Sequence, residues 1–460
     1  MSALETTRRG LATGLALAAA ATTLAACGGT PGESKPPAAS TTEAVSTTIT
    51  RDDVALTILD TGVDPGPDAE YKALIEQFER QHPNVTVRRT VQPFSSLLSS
   101  IKLRLSSDEA PDVSEGNPGP QVDGALVRGG LIRPLTGWAA PSAYGWDAIW
   151  PAATQATNMY GDDGVVFGSG TLWGISPRGE LVGLFYNKAK LAELGFDPPR
   201  TVAELDTILA AAKRAGETPL MIGEQDRYPG GHALMALANA YADPASLRDW
   251  VFGRAGATVD DAGMVAAAGK LRDWAEAGYF QNGFLGVKDA EAQARFASGQ
   301  AVFMIGVSIL NGGLADGLDD DLGFVAMPSA RAGAEVYATG SLSPGMHVSS
   351  RSEHPDVAAA WLNLLASEEG AETILAHGDV PAYPVRDPRV EPGSSLESIV
   401  KTWGEQSTGG RLVPYLDSAT TTMYDTLTGG VQQLMAGSMS PEAFAESIQD
   451  DWTRAHGSGK

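Results

Sequence analysis

The chain has one cysteine in 460 residues, so no disulfide within it can hold the fold and stability must come from packing. Cations are scarce. Lys and Arg number 33 against 56 Asp and Glu, for a formal charge of -23. That excess of negative charge repels nucleic acid and anionic membrane surfaces, so neither is expected as a partner. Only six histidines occur, scattered, and no two share a helix at metal-ligand spacing, so no metal and no cofactor is expected. The Gly-x-Ser-x-Gly turn of a serine hydrolase is missing. Gly168-Ser169-Gly170 lacks both the phosphate-loop lysine and the dinucleotide spacing, and reads as a loop. Asp319-Asp320-Asp321 lacks the alternating oxygen ligands and final glutamate of a calcium loop, and reads as a solvated turn. Beyond the N-terminal segment no apolar run approaches the ~20 residues that span a bilayer. No fixed-period repeat is visible. Nothing positive points to catalysis, although with so many acids a pair of facing carboxylates for glycan hydrolysis stays open.

What is present begins at the N-terminus. Arg8 and Arg9 precede a small-residue apolar stretch from Gly10 to Ala21, then Leu24-Ala25-Ala26-Cys27-Gly28. Cationic start, apolar middle and small residues at the cut are the order of a secretory signal. The cysteine after Leu-Ala-Ala resembles a lipobox, the acylation and cleavage site of bacterial lipoproteins. The resemblance implies a signal peptide over 1–26 and a chain tethered at Cys27 by lipid to the extracytoplasmic face of the cell membrane. Residues 27–50 are Gly, Pro, Ser, Thr and Ala with few large apolar side chains, the composition of a flexible tether.

Order is expected from Val54 onward. Val54–Leu59 reads as a strand, followed by a helix capped by Asp68 with Tyr71, Leu74, Ile75 and Phe78 on one face. His82-Pro83 ends that helix and Val85-Thr86-Val87 alternates as a second strand. Leu97, Leu98, Ile101 and Leu105 mark another helix, and Ala110–Val113 a third strand opening into the loop Ser114–Asn117. Strand–helix alternation returns after residue 175, with a strand over Leu181–Tyr186 and a capping box at Thr201-Val202-Ala203-Glu204. Ala301–Ile305 reads as a strand, and helices open at His354-Pro355 and Ser440-Pro441. The class is α/β. The length suits two lobes of roughly 150–200 residues each, each a mainly parallel sheet flanked by helices.

Several strings then match one family in order. Leu172-Trp173-Gly174-Ile175-Ser176-Pro177 followed by Leu184-Phe185-Tyr186-Asn187-Lys188 resembles the crossover of extracellular solute-binding proteins of carbohydrate ABC transporters, the family of maltose-binding protein. The resemblance continues through Leu194–Pro199, Thr201–Leu205, Phe296–Met304, Gly323–Pro328, Thr339-Gly340-Ser341 and His354–Trp361. It implies two lobes around a ligand cleft. One takes 54–172 with 339–381, the other 178–335 with 384–456. Hinges are expected near Gly174–Pro177, Ala338–Ser341 and Pro381–Pro384. It also implies a monomer that binds a carbohydrate, docks on permease subunits and touches the membrane only through its lipid.

A sugar has hydroxyls around its rim and a C–H-rich face, so its site needs carboxylates or amides beside planar rings. Loop positions supply candidates: Asp60 after the first strand, Glu115 and Asn117 after the third, and Trp173 at the first hinge. Glu224, Asp226 and Tyr228 follow Leu220-Met221-Ile222, and Ser308 and Asn311 follow Phe303–Ile305. Gly340 and Ser341 sit where backbone can approach a ligand. Trp138, Trp146 and Trp150 read as packing, and Trp361 and Trp452 as core. The same acids suit a cationic solute, so a peptide, polyamine or polyol-phosphate receptor of this architecture stays open beside the sugar receptor. A secreted glycan-active enzyme is the third alternative.

Overall fold

The structure is a computed structural model describing residues 47–63, 65–135, 144–149, 152–259, 261–385 and 388–457. Cys27, the signal-like segment, most of the expected tether, Trp138 and Trp150 lie outside the described residues. Two main sheets organise the rest. The first has the order β11-β3-β1-β2, where β1 is Val54–Asp60, β2 Val85–Val91, β3 Val113–Glu115 and β11 Met346–Val348. β2 and β3 run parallel to β1, and β11 pairs antiparallel with β3. The helix Pro65–Gln81 between β1 and β2 buries Tyr71, Leu74 and Phe78, and Phe78 meets Trp361 edge-on at 5.4 Å. Leu97, Ile101 and Leu105 form the buried stripe of the helix Phe94–Ser106.

The second sheet runs β12-β10-β6-β8-β7, with β9 also on β6. Its strands are β6 Gly179–Asn187, β7 Leu220–Met221, β8 Phe303–Val307, β9 Leu322–Ala326, β10 Ala338–Leu342 and β12 Leu412–Val413. β6 is antiparallel to β8, β9 and β10, so this sheet is mixed rather than mainly parallel. A short hairpin of β4 (Met159–Tyr160) and β5 (Thr171–Leu172) precedes the first crossing. Trp361 and Trp452 are buried in the cores, as their helical spacing implied.

Four local expectations need correction. Asp68 lies inside the first turn of its helix instead of capping it, because its carboxylate is drawn to Lys72 and Arg89. Thr201 caps its helix through Glu204 N–H, but the Glu204 carboxylate answers Arg200 N–H, one residue earlier than a capping box requires. β3 begins at Val113, so Glu115 is a strand residue and not part of a loop. β10 pairs with β6, so Ala338–Ser341 belongs to the second sheet and is no hinge. The chain recrosses after Leu342, later than the expected boundary at 339.

Three segments join the sheets, Gly174–Arg178, Ser343–Gly345 and Asp379–Ala382, and they bond to one another. Ile175 and Met346 exchange backbone hydrogen bonds, Arg178 carbonyl accepts from Ser343 N–H, and Gly179 N–H donates to Val380. Arg178 is the centre of this junction. Its Nη2 lies 2.7 Å from Glu70 Oε1, its Nε 3.2 Å from Asp379 Oδ2, and its guanidinium covers the Tyr71 ring at 5.2 Å. All four groups are buried. Burial pushes the Glu70 carboxyl up and that of Asp379 to about 7, against the pull of Arg178. A neutralised junction of this kind ties the helix Pro65–Gln81 to two of the three crossings.

Candidate functional site

The sheets meet where the loop after β3 touches the turn after β12. A Cβ on Gly119, which has φ +114°, would lie 2.8 Å from the Ser418 carbonyl oxygen, and Phe167 packs on Phe252 at 5.2 Å. The arrangement is therefore closed at these two points. The loop itself is firmly held. Gly116 N–H donates to Gly345, Asn117 N–H to Asp123 Oδ1 at 2.7 Å, and Gly119 N–H to the Tyr160 hydroxyl at 2.7 Å. The Asn117 side chain makes no hydrogen bond among the described residues and is half-buried.

Across the junction one row of the second sheet gathers polar side chains. Glu180 on β6 pairs with Ser341 on β10, and Tyr415 follows two residues after Val413, the partner of Thr339. Glu180 is half-buried, and its side chain makes no hydrogen bond among the described residues. Burial pushes its carboxyl up to about 8, Arg178 opposes, and Asp379 and Glu115 push it further. The Tyr415 hydroxyl is buried without a partner, and burial, Glu180 and Asp417 hold its pKa well above the usual value. Asp417 is pushed up to about 6 by burial. Planar rings adjoin this row. His232 lies 5.7 Å from Tyr415 and 5.5 Å from Tyr228, and burial holds it neutral with a pKa of about 4. Arg227, in a left-handed conformation (φ 67°), covers the Tyr424 ring at 5.7 Å and pairs with Asp425.

The expected ligand residues divide. Asp60 is buried and fully engaged, with Arg89 on both carboxylate oxygens at 2.6 and 2.7 Å and Gly62 N–H on one of them. It locks the end of β1. Glu115 receives Thr61 N–H and the Thr61 hydroxyl, at 2.9 and 2.7 Å, and burial raises its pKa. Only its charge reaches Glu180. Trp173 is 7% exposed, sits in the core and donates its indole N–H to the Tyr160 carbonyl, so its ring packs and presents no free face. Trp146 is also buried, stacked on Tyr144 at 4.8 Å.

Glu224 is fully buried beneath the helix Tyr228–Tyr241. Its Oε2 accepts Gly230 N–H at 2.6 Å, Oε1 has no partner, and burial raises its pKa to about 8. It is therefore a capping group at that helix start. Asp226 accepts Asp289 N–H, and Tyr228 donates to the Asp289 carboxylate, both at 2.8 Å. Those bonds tie their turn to the helix Asp289–Ala297. Ser308 accepts Leu181 N–H, and Asn311 bonds to Gly378 and Ser395. Gly340 and Ser341 are buried and line the wall of a cavity of about 370 Å³ with Met159, Ser169, Phe252 and Leu412. Glu180, His232, Tyr415 and Asp417 escaped the sequence reading. The one usable signal was Glu180, a charge at the head of the apolar run Leu181–Phe185. Among the described residues no cluster of His, Cys, Asp and Glu could hold a metal ion, and no helix is long and apolar enough to cross a membrane.

Two sheets with flanking helices, joined by three crossings and meeting over rings and acids, define a two-lobe binding protein. The chain belongs to the bacterial extracellular solute-binding protein family, whose model matches residues 63–372. A stretch of 155 residues is 26% identical to the multiple sugar-binding protein of Streptococcus mutans, covering 34% of this chain and 33% of that relative. The match thus spans about a third of the curated relative. Among solved structures, one concerned with xylan utilisation by Caldanaerobius polysaccharolyticus superposes with TM-score 0.74 at 22% identity, over 86% of this chain and 99% of that one. A chitin oligosaccharide binding protein gives 0.74 at 21%, over 88% and 99%. The GacH receptor of Streptomyces glaucescens gives 0.66 at 21%, over 88% and 98%. At these identities the likeness is one of fold.

Proposed function

We propose that the protein is the lipid-anchored extracellular receptor of an ABC importer for a sugar or oligosaccharide, held between its lobes and passed to permease subunits. One observation carries the reading: the row Glu180–Ser341–Tyr415 with its unpartnered acceptor and hydroxyl, beside the rings of His232 and Tyr228. Unpartnered polar groups beside planar rings suit a ligand with hydroxyls on its rim and C–H groups on its face. The names of the matched relatives support the same ligand class. The receptor performs no chemistry. Ligand shifts an open–closed equilibrium, and the permease reads the closed form. Acylation at Cys27 supplies the anchor, and detergent-phase partition of wild type against Cys27→Ser tests it.

The function is tested by a thermal-shift screen of the chain from Cys27 onward with xylotriose, chitotriose, raffinose and maltotriose. A ligand that binds only the folded state raises its melting temperature, by about 2.7 kcal/mol of added stability at a hundredfold excess over Kd. The expected result is a rise of several degrees with at least one sugar. A rise with polyamines or peptides and none with sugars would move the ligand to another class.

A further inference from the structure

His347 lies on β11, outside the proposed row, yet it is fully buried between the loop after β3 and the first crossing. A Cβ on Gly116, in the loop after β3, would lie 2.5 Å from its Nε2, and one on Gly174, in the first crossing, 2.8 Å from its Cε1. The imidazole fills the space those two glycines leave. Its nitrogens face acceptors only. Nδ1 is 2.8 Å from the Trp173 carbonyl oxygen, and Nε2 is 3.3 Å from Asp123 Oδ1. A carbonyl can only accept, so Nδ1 carries a hydrogen. Nε2 completes no hydrogen bond with Asp123 Oδ1, but a proton on it would face that acceptor at 3.3 Å, and the Asp123 carboxylate favours the imidazolium.

We propose that His347 is a positioning residue for ligand binding: its imidazolium fixes Asp123, and through Asp123 the Asn117 backbone, so that the loop after β3 is set against the first crossing before ligand arrives. The inference rests on the reading that this loop faces the ligand. The charged and titratable groups around the ring are Asp123 from the helix Asp123–Arg128 and Glu115 from β3, with the Tyr160 hydroxyl of β4 beside Asp123. Burial alone would favour neutral imidazole. Asp123, the Trp173 carbonyl and Glu115 outweigh it and raise the pKa. The sign follows: the positioning is present at low pH and fades as pH rises through the folded-state value.

The test needs no ligand, so it fails or succeeds independently of the sugar screen. Nitrogen-15 shifts of the His347 ring and hydrogen exchange at the Asn117 amide are followed from about pH 5.5 to about pH 9, with exchange corrected for its intrinsic pH dependence. The Leu181 amide serves as a control for global opening. The expected result is a doubly protonated ring at the acid end and, as it deprotonates, a loss of protection at Asn117 at least about tenfold greater than at Leu181, which reports global opening. His347→Gln, which fills the site without charge, should show the low protection at every pH. A ring already neutral at the acid end, or Asn117 protection that does not follow the ring in wild type, would overturn the proposal.

Discussion

Replacing Arg178 by methionine is expected to destabilise the protein by about 3–5 kcal/mol at about pH 8, the largest loss of any single substitution outside the apolar cores. Among the described residues Arg178 is the cation at ion-pair distance from both buried carboxyls, Glu70 and Asp379, while Arg89 reaches Glu70 only through space. Methionine keeps most of the volume and leaves two buried carboxylates uncompensated. Acid should relieve the loss. Asp379 already titrates at about 7 in the intact junction, and Glu70 is raised too. A carboxyl raised in the folded state contributes stability below its unfolded pKa and loses it as pH rises through the folded one. Without Arg178 both values climb further, so the variant should approach wild type as the buffer falls toward about pH 5.5. Urea unfolding at the two pH values measures this. A loss under about 1 kcal/mol at both would mean the junction does not depend on the ion pair.

Glu180→Gln is expected to weaken sugar binding by about 10–150-fold at about pH 9, where the carboxyl raised to about 8 is ionised, the effect of losing a hydrogen bond to a charged group worth about 1.5–3 kcal/mol. The same change should stabilise the free protein at alkaline pH. The Glu180 carboxyl is raised to about 8 by burial, so wild type loses stability as pH rises from the unfolded value through about 8. Glutamine does not titrate there, so the difference in melting temperature should grow with pH in favour of the variant. Gain of stability with loss of affinity is the pattern of a functional residue held at a cost. Calorimetric titration and melting on one preparation check both halves. A variant that binds as wild type does would remove Glu180 from the site.

The architecture was legible because each of its signals is local. The stripe Leu97–Ile101–Leu105, the caps at Thr201 and Ser440, and the apolar run of β6 need no distant partner to be read. The site was legible only in part, because its residues are defined by what they do not touch. Asp60 looked like a free carboxylate after a strand until Arg89, on the neighbouring β2, proved to occupy it. Trp173 looked like a ring at a hinge until its indole N–H proved bonded to the Tyr160 carbonyl within the core. Glu224, Asp226 and Tyr228 were read as rim groups, whereas long-range bonds to Gln432 and Asp289 recruit their turn to hold helix ends. Tyr415 and Glu180, 235 residues apart in the chain, become neighbours only through the register of β10 with β6 and β12. No spacing within one sequence reports such a row.

The central claim is that the lobes close around a sugar, and small-angle scattering measures it most directly. The structure is closed at Gly119–Ser418, where the glycine conformation (φ +114°) and the 2.8 Å spacing leave no room for a side chain. Wild type should compact on saturation with the sugar that raises its melting temperature, whereas Gly119→Val, blocked at that contact, should stay extended and bind more weakly. A radius of gyration that does not fall in wild type at saturating sugar, or that falls equally in the valine variant, would contradict closure at this cleft.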